Sequence, residues 1–184
     1  RGADVTLVAA HTADLVDPAG VRVIKVGTAD ELRTVMLAEA DGADVVVMAA
    51  AVADFRPVTL AEHKIKKTDR DPEPLALTRN PDVLAELVDA RAAGKLDTSL
   101  IVGFAAETGD ATTSVLDHGR AKLARKGCDL LVVNAVGDGR AFEVEENAGW
   151  LLGGDGTEQP IPYGAKSRLA STLWDAVNRQ LRRQ

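Results

Sequence analysis

Cysteine, histidine and aromatic side chains are scarce in this sequence, and it has neither an excess of positive charge nor a long apolar run. The single cysteine, Cys128, rules out an internal disulfide. It stands between Gly127 and Asp129 at the start of an apolar stretch, without an activating neighbour, and reads as a buried bystander rather than a nucleophile. His11, His63 and His118 lack metal-ligand spacing and read as surface or loop residues. A net charge of −6 argues against a nucleic-acid-binding surface while leaving room for a local basic site. No apolar run approaches the length of a membrane-spanning helix. The expected address is the cytoplasm, with neither nucleic acid nor membrane as partner. No internal repeat or linker is evident, and 184 residues with 46% hydrophobic content suit one domain, 1–184, with a sizeable core.

What the sequence does contain is concentrated in residues 45–67, VVVMAAAVADFRPVTLAEHKIKK. Val45, Val46, Val47 and Met48 form a continuous apolar run, the pattern of a strand covered on both faces. Three alanines follow, and their small side chains let another molecule approach the backbone where the strand ends. Asp54 comes next, and beyond it lies the densest positive cluster, Lys64, Lys66 and Lys67. In an open α/β sheet, ligands lie off the carboxyl ends of the strands. An acid at such an end, followed by a basic arm, points to an anionic ligand, with a polyphosphate as the natural candidate.

The rest of the chain alternates strands and helices. Strands are expected at residues 5–9, 21–26, 45–48, 75–78, 99–104, 129–133 and 150–152, with residues 55–74 mostly loop because prolines interrupt them. Thr28 and Glu31 have the spacing of a capping box, opening a helix with Leu32, Val35, Met36 and Ala40 on one face. Asn80 and Pro81 read as a cap and first-turn proline of a helix through Leu84, Leu87 and Val88. Further helices are expected over 113–126 and 166–181, the last with Leu169, Leu173, Val177 and Leu181 in one stripe. This order predicts a three-layer α/β sandwich with a mostly parallel sheet. Because nothing precedes the strand at 5–9, the first strand and helix of such a sheet are expected to be missing. Lys122 and Lys126 are four apart on one helix, so both ammonium groups reach the same side. A solvated helix face is the ordinary reading of such a pair.

Five segments in order resemble one family. AAVADFRP at 50–57, HKIKK at 63–67, NPDVL at 80–84, VGFAAET at 102–108 and KLARKGCDLLVVN at 122–134 are similar to the phosphopantothenoylcysteine synthetases. These are nucleotide-dependent ligases of coenzyme A synthesis on a Rossmann-like fold. The resemblance implies CTP-dependent joining of 4′-phosphopantothenate to L-cysteine through an acyl-cytidylate. It makes Lys64, Lys122 and Lys126 triphosphate ligands, with Lys64 also the catalytic cation for departing pyrophosphate. Asp54 is then a nucleotide contact, accepting from a hydroxyl or helping to hold the Mg²⁺ that accompanies CTP. Asn80, Pro81, Asp82, Val83 and Leu84 line the pocket around base and ribose, Phe104 contacts cytosine, and the backbone around Met48, Ala49 and Ala50 completes it. Asn134, Phe142 and Asn147 match family positions whose individual roles the chemistry does not define.

The resemblance further implies a homodimer, with residues 75–79 as a contact, and fusion to a flavin-dependent decarboxylase that alone carries FMN. The family's Gly- and Ser-rich upstream segment, which contributes to the phosphate cradle and to handling of the acyl intermediate, has no counterpart here. Two other readings stay open at this level. One is a nicotinamide-dependent oxidoreductase, although no G-x-G-x-x-G follows any strand present. The other is a non-catalytic nucleotide-binding or dimerisation module.

Overall fold

The apolar runs become the centre of a five-stranded sheet. The computed structural model describes residues 2–12, 16–59, 61, 63, 74–109, 112–136 and 146–183. Strand β3 (Val45–Met48), β6 (Leu100–Glu107) and β7 (Leu130–Ala135) lie side by side and parallel. Strand β8 (Glu146–Gly153) then pairs antiparallel with β7, and β9 (Glu158–Ala165) with β8, giving the order β3-β6-β7-β8-β9. Ile101, Val102, Leu131, Val132 and Val133 have no exposed surface, as expected of central strands covered on both faces.

Helices cover the two faces. On one side α1 (Ala29–Ala40), α2 (Val83–Ala92) and α3 (Val115–Lys126) enclose a core of Leu32, Val46, Met48, Leu84, Leu87, Ile101, Leu131 and Val133. On the other, α4 (Lys166–Leu181) packs Leu169, Leu173 and Val177 against Leu100, Val102, Leu130 and Val132. Strand alternation sends successive side chains to opposite faces, so the apolar run of β6 supplies both cores at once. Two small sheets stand apart in hydrogen bonding: β1 (Val5–Ala10) with β2 (Val21–Val26), parallel, and β4 (Phe55–Pro57) with β5 (Leu77–Arg79), antiparallel. The α/β, Rossmann-like layering expected from the sequence is therefore present, with an antiparallel pair appended to the parallel strands.

Two glycines set how closely the helices approach. A Cβ on Gly103 in β6 would lie 2.7 Å from Leu84 Cδ2 of α2. One on Gly119 in α3 would lie 2.7 Å from Val133 Cγ2 and 3.0 Å from Leu152 Cδ1.

The structure departs from the sequence expectation at β4 and β5, at the cap of α2 and at β8 and β9. The segment after Asp54, expected as loop, forms β4, which pairs with a β5 that begins two residues later than expected. The N-cap of α2 is Asp82, whose side chain accepts from Ala85 N–H, rather than Asn80. The single strand expected at 150–152 is one part of a hairpin, β8 and β9, whose second strand carries Pro160 and Pro162. Proline is compatible with β9 because it is an edge strand, with one side free of ladder bonds. The Thr28 capping box forms in both halves, with Glu31 reaching back to the Thr28 N–H at 3.1 Å.

Candidate nucleotide site

A cavity of about 640 Å³ opens where β3 and β6 end, within the usual range for small-molecule sites. Its walls come from three directions. The end of β3 and the segment after it contribute Met48, Ala50, Val52 and Asp54; the end of β5 and the start of α2 contribute Arg79, Asn80, Pro81, Asp82, Val83 and Leu84; β6 contributes Phe104, Ala105 and Ala106. The last two turns of α3 add Lys122, Arg125 and Lys126. Four cationic side chains thus face two carboxylates, Asp54 and Asp82, and the cavity is suited to an anion.

Most residues singled out in the sequence meet here: Met48, Ala50, Asp54, Asn80, Pro81, Asp82, Val83, Leu84, Phe104, Lys122 and Lys126 all line the cavity. Ala49 is exposed beside them but is not part of the wall. Lys64, Lys66, Lys67 and Phe142 lie outside the described residues. Asn134, next to last in β7, lies opposite Ala106, and Asn147 is buried in β8, where its side chain accepts from Ala148 N–H at 2.8 Å.

The lysine pair does not point freely into solvent. Lys122 is ion-paired with Glu107 at the end of β6, and Lys126 with Asp82 at the N-cap of α2. Each ammonium is held by a carboxylate from another element. Burial alone would raise the Asp82 carboxyl, but the Lys126 ammonium, the Ala85 N–H and the nearby Arg125 outweigh it and hold it below its usual value of 3.8. Asp82 therefore stays ionised, and an incoming phosphate must compete with it for Lys126.

Asn80 is held just as firmly. Its backbone N–H donates to Asp54 O at 2.9 Å, its Nδ2 donates to Ala53 O at 2.8 Å, and its Oδ1 accepts from Arg56 Nη1 at 2.9 Å. The sequence reading named neither Glu107 nor Arg56 as a site residue, nor Arg79 and Arg125. Glu107 lies inside the VGFAAET segment and Arg56 inside AAVADFRP, so position within a motif was the available signal; pairing partners 15 and 24 residues away were not readable. Among the described residues, no three His, Cys, Asp or Glu side chains cluster as a metal site. Cys128 is buried beneath α2, and burial pushes its thiol upward, consistent with an unreactive core residue.

A family model described as "DNA/pantothenate metabolism flavoprotein C-terminal domain" matches residues 1–181. The coenzyme A biosynthesis bifunctional protein CoaBC of Mycobacterium bovis is 61% identical over 178 residues, covering 96% of this chain and 43% of that protein. Its counterpart in Mycolicibacterium smegmatis is 56% identical over 185 residues, covering the whole of this chain and 45% of that protein. The chain thus spans less than half the length of these relatives. A crystal structure of the C-terminal domain of a CoaBC protein superposes with a TM-score of 0.76 at 26% identity, over 100% of this chain and 77% of that one.

Proposed function

The chain belongs to the family of the DNA/pantothenate metabolism flavoprotein C-terminal domain, and from that membership we propose that it is the phosphopantothenoylcysteine synthetase part of a coenzyme A-forming protein. In this reading the carboxylate of 4′-phosphopantothenate attacks the α-phosphorus of CTP and pyrophosphate leaves. The amine of L-cysteine then attacks the acyl-cytidylate, forming the amide and releasing CMP. A carboxylate is a poor acyl donor, so the step needs a polyphosphate leaving group and cations around it.

The observation that carries this reading is the convergence of Asp54, the Asn80–Leu84 turn, Phe104, Lys122 and Lys126 on one cationic cavity at strand carboxyl ends. Lys122 and Lys126 would hold the triphosphate, exchanging Glu107 and Asp82 for phosphate oxygens. Phe104 and the small residues after Met48 would receive the cytosine, and Lys64 would neutralise charge developing on pyrophosphate. Asp54 offers its carboxylate to a ribose hydroxyl or to the Mg²⁺ that a triphosphate carries. That ion, when bound, screens phosphate charge; the chain's own side chains place the nucleotide. FMN belongs, in this proposal, to a fused decarboxylase and not to this chain.

The exposed apolar side chains Phe55 and Leu77 on the β4–β5 pair, with Val58 and Leu75 beside it, support a homodimer formed through this arm. A cytoplasmic location follows from the same metabolic role.

The test is the thermal midpoint of this chain with Mg-CTP, Mg-ATP and NADPH side by side, because a ligand of the folded state raises it. A rise with CTP and not with NADPH, reduced in Lys126→Gln, is the expected result. A rise with NADPH alone would overturn the proposal in favour of a nicotinamide site. CTP-dependent pyrophosphate release in the full-length protein then tests turnover.

A further inference from the structure

Arg56 lies outside the cavity wall, yet it holds together three segments around it. It is the middle residue of β4, opposite Thr78 of β5. Its Nη1 donates to Arg79 O at 3.1 Å and to Asn80 Oδ1 at 2.9 Å, while Nη2 pairs with Asp30 Oδ2 of α1 at 3.2 Å. One guanidinium thus joins the end of β5, the turn into α2 and the first turn of α1. A planar cation with five donors in a fixed fork is suited to this, whereas a lysine ammonium is not.

The consequence falls on Asn80. With Arg56 donating to its oxygen and Ala53 O accepting from its nitrogen, the amide has one possible orientation and both ends are committed to the protein. Its backbone N–H is committed to Asp54 O. Asn80 therefore acts as a brace between the wall after β3 and the wall before α2, and Arg56 sets the brace. Ala53, Asp54, Arg79 and Asn80 all line the cavity, while Arg56 does not.

We propose that Arg56 is a positioning residue for nucleotide binding: through Asn80 it fixes the distance between Asp54 and the Asp82 end of α2 without touching the ligand. The proposal rests on the synthetase reading above. Loss of the guanidinium frees Asn80 Oδ1 and loosens both walls, so ground-state and transition-state binding of CTP weaken alike. That combination raises KM and leaves kcat in place.

The experiment is steady-state kinetics on the full-length protein with Arg56→Gln, Arg56→Lys, Asn80→Ala and the double variant Arg56→Gln/Asn80→Ala. Arg56→Gln is expected to raise KM for CTP about tenfold, with kcat within roughly threefold and KM for cysteine unchanged, a tenfold loss being ~1.4 kcal/mol. Arg56→Lys should recover only part of this, because an ammonium cannot span Arg79 O, Asn80 Oδ1 and Asp30 together. In the Asn80→Ala background, Arg56→Gln should add less than about a threefold further change, since its target is gone. An unchanged KM for CTP, a loss confined to kcat, a parallel rise in KM for cysteine, or full additivity in the double variant would each overturn the assignment. If the unmodified protein turned over without using CTP, the synthetase reading would fail first and this inference with it.

Discussion

Replacing Gly119 by alanine sets two effects of known size against each other. Gly119 is buried in the middle of α3, where alanine favours the helix by about 1 kcal/mol. The added methyl, however, would lie 2.7 Å from Val133 Cγ2, 3.0 Å from Leu152 Cδ1 and 3.3 Å from Val133 Cγ1. Val133 is β-branched and wholly buried, and Leu152 is only 1% exposed, so neither can swing away into solvent. Forcing a methyl into such a contact costs roughly 1–3 kcal/mol. The helix gain offsets part of this, leaving a net loss of up to about 2 kcal/mol, with ~1 kcal/mol as the central value. For a chain of this size that central value lowers Tm by roughly 2–4 °C. The lifted helix carries Lys122 one turn further on, so CTP affinity should also fall severalfold. Calorimetric melting with and without Mg-CTP measures both. A higher Tm together with unchanged CTP affinity would refute the argument that this close contact places the lysines.

Two further predictions follow from single side chains. Asp82→Asn keeps an amide oxygen for the α2 cap but removes the partner of Lys126, whereas Asp82→Ala loses the cap as well and should cost about 1 kcal/mol. Because the folded state holds the Asp82 carboxyl below 3.8, its contribution is fully present above that pH and is lost as pH falls through the lower folded value. The stability difference between the parent and Asp82→Asn, measured by urea titration, should therefore shrink only below pH 3.8, and a difference that shrank at neutral pH would contradict this. Cys128 is 3% exposed with its thiol shifted upward by burial, so a thiol reagent at pH 7 should label it only after denaturant is added.

What the sequence made legible was whatever local pattern determines. The apolar runs of β3, β6 and β7 read as buried strands because both of their faces are covered, and the Thr28–Glu31 spacing marked the start of α1 because both partners lie within one turn. The Lys122 and Lys126 spacing correctly placed both on one side of α3. Their partners were hidden, since Glu107 and Asp82 come from other elements, 15 and 44 residues away. A strand near β5 was legible, displaced by two residues, whereas β4 is three residues ending in Pro57 and exists only through its pairing with β5, which no periodicity announces. Pro160 and Pro162 masked β9, because the sequence does not say which strand lies at an edge. Asn80 looked like a helix cap for a sound reason, a polar residue before proline, but the proline precedes Asp82, and the true cap follows it. Its actual partner, Arg56, lies 24 residues earlier.

The mounting of α2 carries a mechanical consequence. At its far end Arg91 donates to Ser99 O at 3.2 Å and forks onto Asp129, whose Oδ2 also accepts from Ile101 N–H at 2.7 Å, so the last turn is bolted to the beginnings of β6 and β7. At its near end the helix is pinned by Asp82 to Lys126, a bond that a phosphate can take over. Its far end is fixed to the sheet, while at the near end only the Lys126 tie is exchangeable and the Asn80 brace remains. Leu84 and Leu87, packed in the core between the two ends, hold the helix against the sheet. Exchange of partners at Lys126 therefore takes place at the cavity mouth, with the bonds that fasten the far end of α2 to the sheet left in place.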